Sequence, residues 1–255
     1  MIIRSEILLN VSTVTHGFCD RHGGRSVGHY KSLNIGVNRG DYIEMVLKNR
    51  EIIAKMFGVP APYIVSLHQR HGDTVQIVHA GNIESYRLMF LDNHVQSCGS
   101  GDAIITNLSG VLIGVQTADC APILLCDEKV RFVSAIHAGW RGTVGNVIEN
   151  TVSTLTKLGC KNICAAIGPC IQKQSFEVGD EIISVVDKNY ISEIDDKKYF
   201  DMPMMIHDKL VALGIKKIES IGIDTVSDEN FFSHRRQNGQ CGVQFSGILL
   251  KKVYS

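Results

Sequence analysis

Val111-Leu112-Ile113-Gly114-Val115-Gln116-Thr117-Ala118-Asp119-Cys120-Ala121-Pro122-Ile123-Leu124-Leu125-Cys126, a turn at Asp127-Glu128-Lys129, and then Val130 through Ala135-Ile136-His137-Ala138-Gly139-Trp140-Arg141-Gly142 form the most telling run of this chain. The apolar segments Val111–Gln116, Ile123–Cys126 and Val130–Ile136, bounded by turn residues, read as strands. If the last two pair across the short turn, Cys120 and His137 meet at the end of the ladder away from that turn. A lone Cys or His in such surroundings is commonly a core residue. Here the polar Thr117-Ala118-Asp119 and the small Ala138-Gly139 place both at strand ends instead. Helix signals follow over Gly142–Leu158, where Val144, Val147, Ile148, Val152 and Leu155 build one face and Gly159 closes it.

Outward from that run, Gln69-Arg70-His71-Gly72-Asp73 is a polar turn between short strands at Val65–Leu67 and Thr74–His79. His71 or the neighbouring His68 supplies a candidate third ligand, and spacing alone does not choose between them. Two imidazoles and one thiolate suit a catalytic zinc with a fourth position open to water or substrate. Asp73 or Asp119 is placed to orient a ligating imidazole. That points to an enzyme.

The N-terminal third has a short apolar strand and a loop from His16-Gly17-Phe18 to Gly36, holding Arg21, Gly23-Gly24, Arg25 and Ser32-Leu33-Asn34. Asp41 is placed to cap a helix with Met45, Val46, Ile52, Ile53 and Met56 on one face, ending at Gly58. Further strands are expected at Ala103–Thr106, Ile163–Ile167 and Ile218–Ile223, and helices at Val178–Lys188 and Pro203–Leu213. A polar loop, Asp228 to Gly242, precedes a C-terminal strand. Residues 80–100, polar and weakly patterned, could form a lid. Strands and helices mix without repeat or linker, so one α/β domain over residues 1–255 is expected. Arg21 with Arg25, Arg141, and Arg235-Arg236 each flank a Gly-rich turn, where guanidinium forks match phosphate or carboxylate.

The 255 residues suffice for a substantial core. With 26 basic and 26 acidic side chains the formal charge is zero, which gives no global electrostatic case for nucleic acid or an anionic membrane. No run nears the roughly 18 apolar residues a membrane helix needs. The opening lacks a secretory pattern, and the eight cysteines include no CxxC pair. Reduced, buried thiols in a cytoplasmic protein are expected.

At these residues the chain resembles the YfiH-like proteins, once labelled polyphenol oxidases or laccase-domain proteins and now regarded as purine nucleoside phosphorylases. The match runs nearly end to end. It is carried by His16-Gly17-Phe18, Gly23-Gly24, Ser32-Leu33-Asn34, Gln69, His71-Gly72 and Gly101-Asp102-Ala103. It continues through Thr117 to Pro122, Ala135 to Gly142, Gly168-Pro169-Cys170-Ile171 and the segment Phe231–Arg236.

The resemblance implies a single-domain layered α/β/β/α sandwich with mixed β-sheets, and zinc, in preference to copper, on His71, Cys120 and His137. It thereby selects His71 over His68. It implies phosphorolysis of adenosine, inosine or guanosine, with methylthioadenosine cleavage and adenosine deamination in related members. On this reading Cys120, His71, His137, Asp102 and Arg141 serve catalysis, and Arg21, Asn34, Arg141 and Arg235 bind substrate or phosphate. The partners implied are a nucleoside and phosphate, to a monomer or homodimer. Arg70 and Arg25 depart from the family pattern and bear on substrate preference. The competing readings are a metal-free hydrolase or deamidase with Cys120 as nucleophile and His137 as base, a copper oxidase, and a zinc-stabilised interaction protein. Multicopper centres need more His than this motif set provides, and structural zinc fills four protein positions.

Overall fold

Strands apolar on both faces need cover on both faces, and that requirement sets the layers of this protein. The computed structural model describes residues 1–61, 64–84, 99–129 and 132–251. Its strands are β1 (Ile2–Ile3), β2 (Val14–Cys19), β3 (Ile64–Val65), β4 (Val75–Val78), β5 (Ala103–Thr106), β6 (Leu112–Thr117) and β7 (Ala121–Asp127). They continue with β8 (Val133–Ala138), β9 (Ile163–Ile167), β10 (Ile191–Ile194), β11 (Lys197–Phe200), β12 (Lys217–Ser220) and β13 (Gln244–Leu250). One sheet has the order β1-β2-β13-β6-β3, a second the order β12-β9-β7-β8-β5-β4, and β10-β11 form a separate hairpin. Both main sheets are mixed: β3/β6, β4/β5 and β9/β12 are parallel and the remaining pairs antiparallel.

Side-chain alternation sorts the core into three interfaces. Along β7, Leu124 and Cys126 turn to the other sheet and meet Phe18, Ile113, Val115 and Ile248. Ile123 and Leu125 turn outward and pack with Val147, Ile148, Val152 and Leu155 of the helix Val147–Lys157 and with Ile206 and Leu210 of the helix Met202–Ala212. On the far side of the first sheet, Phe245, Leu112 and Leu249 meet Ile53, Ala54 and Phe57 of the helix Ile43–Phe57. The result is an α/β/β/α sandwich. The hairpin read from the sequence is present: Pro122 pairs with His137 and Ala121 with Ala138, so the chain enters β7 beside the point where it leaves β8. Because β6 lies in the first sheet and β7 in the second, residues 118–120 carry the chain between layers.

Several expected elements differ. The helix read over Gly142–Leu158 is two pieces, Trp140–Val144 and Val147–Lys157. Gly145 is extended there (ψ −156°), and Lys209 donates to its carbonyl at 3.2 Å. Val178–Lys188 holds one helical turn, Asp180–Ile183, after which Asp187 accepts from the Asn189 N–H and starts a separate turn. Asp41 does not cap the helix beginning at Ile43: its Oδ2 accepts from Ser26 Oγ and Asn34 Nδ2 instead. The strand expected from Val130 starts at Val133, with residues 130–131 outside the described set. Most of the lid expected at 80–100 also lies outside it, since residues 85–98 are not described. Among the described residues no helix is long and apolar enough to cross a membrane.

Candidate metal centre

Three chain segments converge where β8 ends. His137, the penultimate residue of β8, is buried with its backbone N–H donated to the Asp102 carbonyl at 2.7 Å. Cys120 sits half-buried in the crossing between sheets, and His71 lies exposed in the turn before β4. One nitrogen from each imidazole and the Cys120 sulfur all lie within 4.8 Å of one another. The rings of His71 and His137 meet edge to face with centroids 4.7 Å apart. Among the described residues this is the one group of His, Cys, Asp or Glu assembled to hold a metal ion.

Local backbone geometry serves the convergence. His71 (φ +57°) and Asp119 (φ +86°) both occupy the left-handed region, which non-glycine residues adopt only where their surroundings over-determine it. Asp102 supplies that determination for His71. Its carboxylate, fully buried, accepts the N–H groups of Arg70, His71 and Gly72 at 3.1, 2.9 and 2.8 Å. The same carboxylate lies 2.8 Å from His137 Nδ1, which leaves Nε2 for a metal. Asp119 fixes the crossing by accepting from Thr225 Oγ1 at 2.7 Å and from the Arg235 backbone N–H at 2.6 Å. Gly139 completes the cradle: a Cβ there would lie 2.8 Å from His71 Nδ1 and 3.0 Å from Cys120 Sγ. Any side chain there would push the His71 ring or the Cys120 sulfur out of place.

The electrostatics match the donor set. Burial acts to raise the Cys120 thiol, but the His137 charge and hydrogen bonds from His137 and His71 outweigh it, bringing the thiol down to about 6. Burial acts to lower His137, but the Cys120 thiolate and Asp102 push it up to about 9. Burial likewise acts to raise Asp102, and the hydrogen bonds from His137, Gly72 and Arg70 hold it below the usual carboxylate range. A thiolate and two imidazoles facing one point suit a tetrahedral divalent ion with one position left for water or substrate. The residues present therefore fit a catalytic metal.

The remaining candidates divide. Asp102 is fully buried and its hydrogen bonds are all received, the arrangement of a carboxylate that orients ligands, as expected of Asp73 or Asp119. Asn34 is enclosed as well. Fully buried, it spends Oδ1 on the Gly36 and Val243 N–H groups and Nδ2 on Asp41, so it braces a loop and contacts no solvent. Arg141 is exposed, stacks on Trp140 at 4.2 Å and bonds Glu181 at 2.5 Å. Arg21 stacks on Phe232 at 4.5 Å and donates Nε to the Lys31 carbonyl. Arg235 donates from its side chain to the Glu177 carbonyl while its backbone holds Asp119. Arg236 spends its guanidinium on the carbonyls of Thr225, Val226, Asp228 and Phe231, a loop clamp rather than an anion grip. His68 pairs through its backbone with Gly99 and Gly101 and does not join the ligand group. Reading by residue type passed over Gly139; its signal was the small residue directly after His137-Ala138.

Known proteins resemble this chain over nearly its whole length. Residues 15–251 match the family model described as multi-copper polyphenol oxidoreductase laccase. A purine nucleoside phosphorylase of Deinococcus radiodurans is 32% identical over 94% of this chain and 90% of its own length. An adenosine deaminase, RL5, from an unknown prokaryotic organism is 34% identical over 87% of this chain and 88% of its own. Among solved structures, the YfiH protein of Bacillus licheniformis superposes with a TM-score of 0.87 at 27% identity, covering 94% of both chains.

Proposed function

This chain belongs to the YfiH-like family, described as multi-copper polyphenol oxidoreductase laccase, and on that premise we propose that it is a zinc-dependent enzyme acting on purine nucleosides. Its main reaction is phosphorolysis of adenosine, inosine or guanosine to the free base and ribose 1-phosphate, extending to methylthioadenosine. Its side reaction is deamination of adenosine. The observation that carries this reading is the convergence of His71, Cys120 and His137 on one point with His71 exposed and Cys120 half-open to solvent. The names of relatives at 32% and 34% identity support the substrate class. A closed structural zinc or a multicopper centre would need more ligands than this group offers.

His71, Cys120 and His137 hold the ion. Bound there, zinc supplies a Lewis acid facing the substrate. Asp102 keeps His137 Nδ1 protonated and fixes the turn carrying His71, so both imidazoles stay aimed without reorganisation. Arg235 and Arg141 are the residues we assign to phosphate, because their segments abut the centre through Asp119 and Gly139 respectively. The exposed Arg141–Glu181 pair is worth little in water and exchanges readily for an anion. Arg21 joins them through its backbone bond to Asn230 in the same loop as Arg235, its guanidinium lying over Phe232 with Nε on the Lys31 carbonyl. We place the protein in the cytoplasm as one domain, monomeric or homodimeric.

A second reading has one observation in its favour: Cys120, His137 and Asp102 also make the nucleophile, base and orienting carboxylate of a metal-free cysteine hydrolase. Base release from inosine and adenosine, with and without phosphate and before and after chelation, separates the two. Phosphate-dependent release that chelation abolishes and zinc restores is the expected result. Chelator-resistant, phosphate-independent turnover that iodoacetamide stops would replace it with the hydrolase.

A further inference from the structure

At the other end of β7, about 20 Å of strand from Cys120, a second pair of sulfurs meets. Cys126 and Cys164 are direct partners in the antiparallel β7–β9 ladder. Gly168 donates to the Pro122 carbonyl and Glu128 to the Asn162 carbonyl, so the even-numbered β7 positions are the hydrogen-bonded pairs. Partners of that type have Cα atoms about 5.5 Å apart, inside the range of about 4.4–6.8 Å spanned by disulfides. Both thiols are free and buried, and both point into the space between the sheets. The Cys126 S–H donates to the Cys164 sulfur, which makes Cys164 the more acidic partner. Cys164 also lines a cavity of about 640 Å³ walled by Ile7, Asn10, Thr13, Glu128 and Lys217, among others, whereas Cys126 is not part of that wall. No other two cysteines among the described residues face each other across a ladder.

We propose that Cys126 and Cys164 form a modification site at which a hydroperoxide makes a cross-strand disulfide. The Cys164 thiolate attacks the terminal peroxide oxygen. The O–O bond breaks, the alcohol (or water, from hydrogen peroxide) leaves, and Cys164 becomes a sulfenic acid. The Cys126 sulfur then displaces that hydroxyl as water, its own proton leaving with it. Two thiols are oxidised by two electrons and one peroxide is reduced. The site is separate from the metal centre, so it senses oxidant without spending Cys120.

The test treats the full-length, metal-loaded protein with hydrogen peroxide, alkylates it under denaturing conditions and maps the peptides without reduction. The expected product is one linked peptide pair containing Cys126 and Cys164, lighter by two hydrogens and released by dithiothreitol. Cys19, Cys160, Cys170 and Cys241 stay alkylatable. In Cys126→Ser the reaction should stop at a sulfenic acid on Cys164 that dimedone traps. If Cys126 and Cys164 both remain alkylatable while other cysteines oxidise, or if either links to a different cysteine, the proposal fails. The wild-type map alone decides this should the serine variant not fold.

Discussion

Asp102 shows how much one carboxylate can settle. It accepts three backbone N–H groups from the turn at residues 70–72 and faces His137 Nδ1, so a single buried group aims two of the three ligands. An amide at this position keeps the shape but presents a donor where acceptors are required. Asp102→Asn should therefore lower zinc affinity roughly 10–100-fold, the range typical of groups that orient ligands, measured by titration against a competing chelator. Unchanged affinity would remove Asp102 from that role. Cys120 makes a second residue-level prediction. Its thiol lies at about 6 against an ordinary 9.0, so the thiolate persists as pH falls and is lost only through about pH 6. Alkylation of the metal-free protein by iodoacetamide should stay near its plateau from pH 9 down to about 7, fall to half at about 6 and decline further below that. A rate already declining below pH 9, as for an unperturbed thiol, would contradict the thiolate–imidazolium pairing.

At the scale of elements, the loop between β2 and the helix Ile43–Phe57 depends on Asn34. Asn34→Ala strands the buried N–H groups of Gly36 and Val243, at about 1–3 kcal/mol each, so the melting temperature should drop while bound metal per chain is unchanged. A stable variant with a raised KM for phosphate would restore Asn34 as a binding residue. The elements that the sequence made legible are those whose cause is local. Ala103–Thr106 and Ile163–Ile167 are apolar runs bounded by polar or turn residues, and both strands have those limits. The β7–β8 hairpin follows from one short turn, and it put Cys120 beside His137 before any coordinates. What failed depended on distant partners. The apolar stripe Val144, Val147, Ile148 continues across the break at Gly145 because both pieces pack on the same sheet, so periodicity cannot see the break. The choice of His71 over His68 came from family resemblance alone. Its physical reason is the grip of Asp102, thirty-one residues further along the chain, which no spacing rule reveals.

On the scale of the whole molecule, the sandwich makes the centre by crossing layers. Cys120 lies where the chain passes from the first sheet to the second, while His71 and His137 are held by strands of the second sheet. An ion shared by all three would tie that crossing to β8 and to the turn before β4. Binding only the folded state, it should also raise stability by mass action. The direct test is metal content by mass spectrometry of the purified wild-type chain and of Cys120→Ala, read beside nucleoside turnover of the same preparations. The account predicts close to one zinc per wild-type chain, none in the variant, and turnover lost with the metal. A metal-free Cys120→Ala protein that still cleaves nucleosides at the wild-type rate would contradict it.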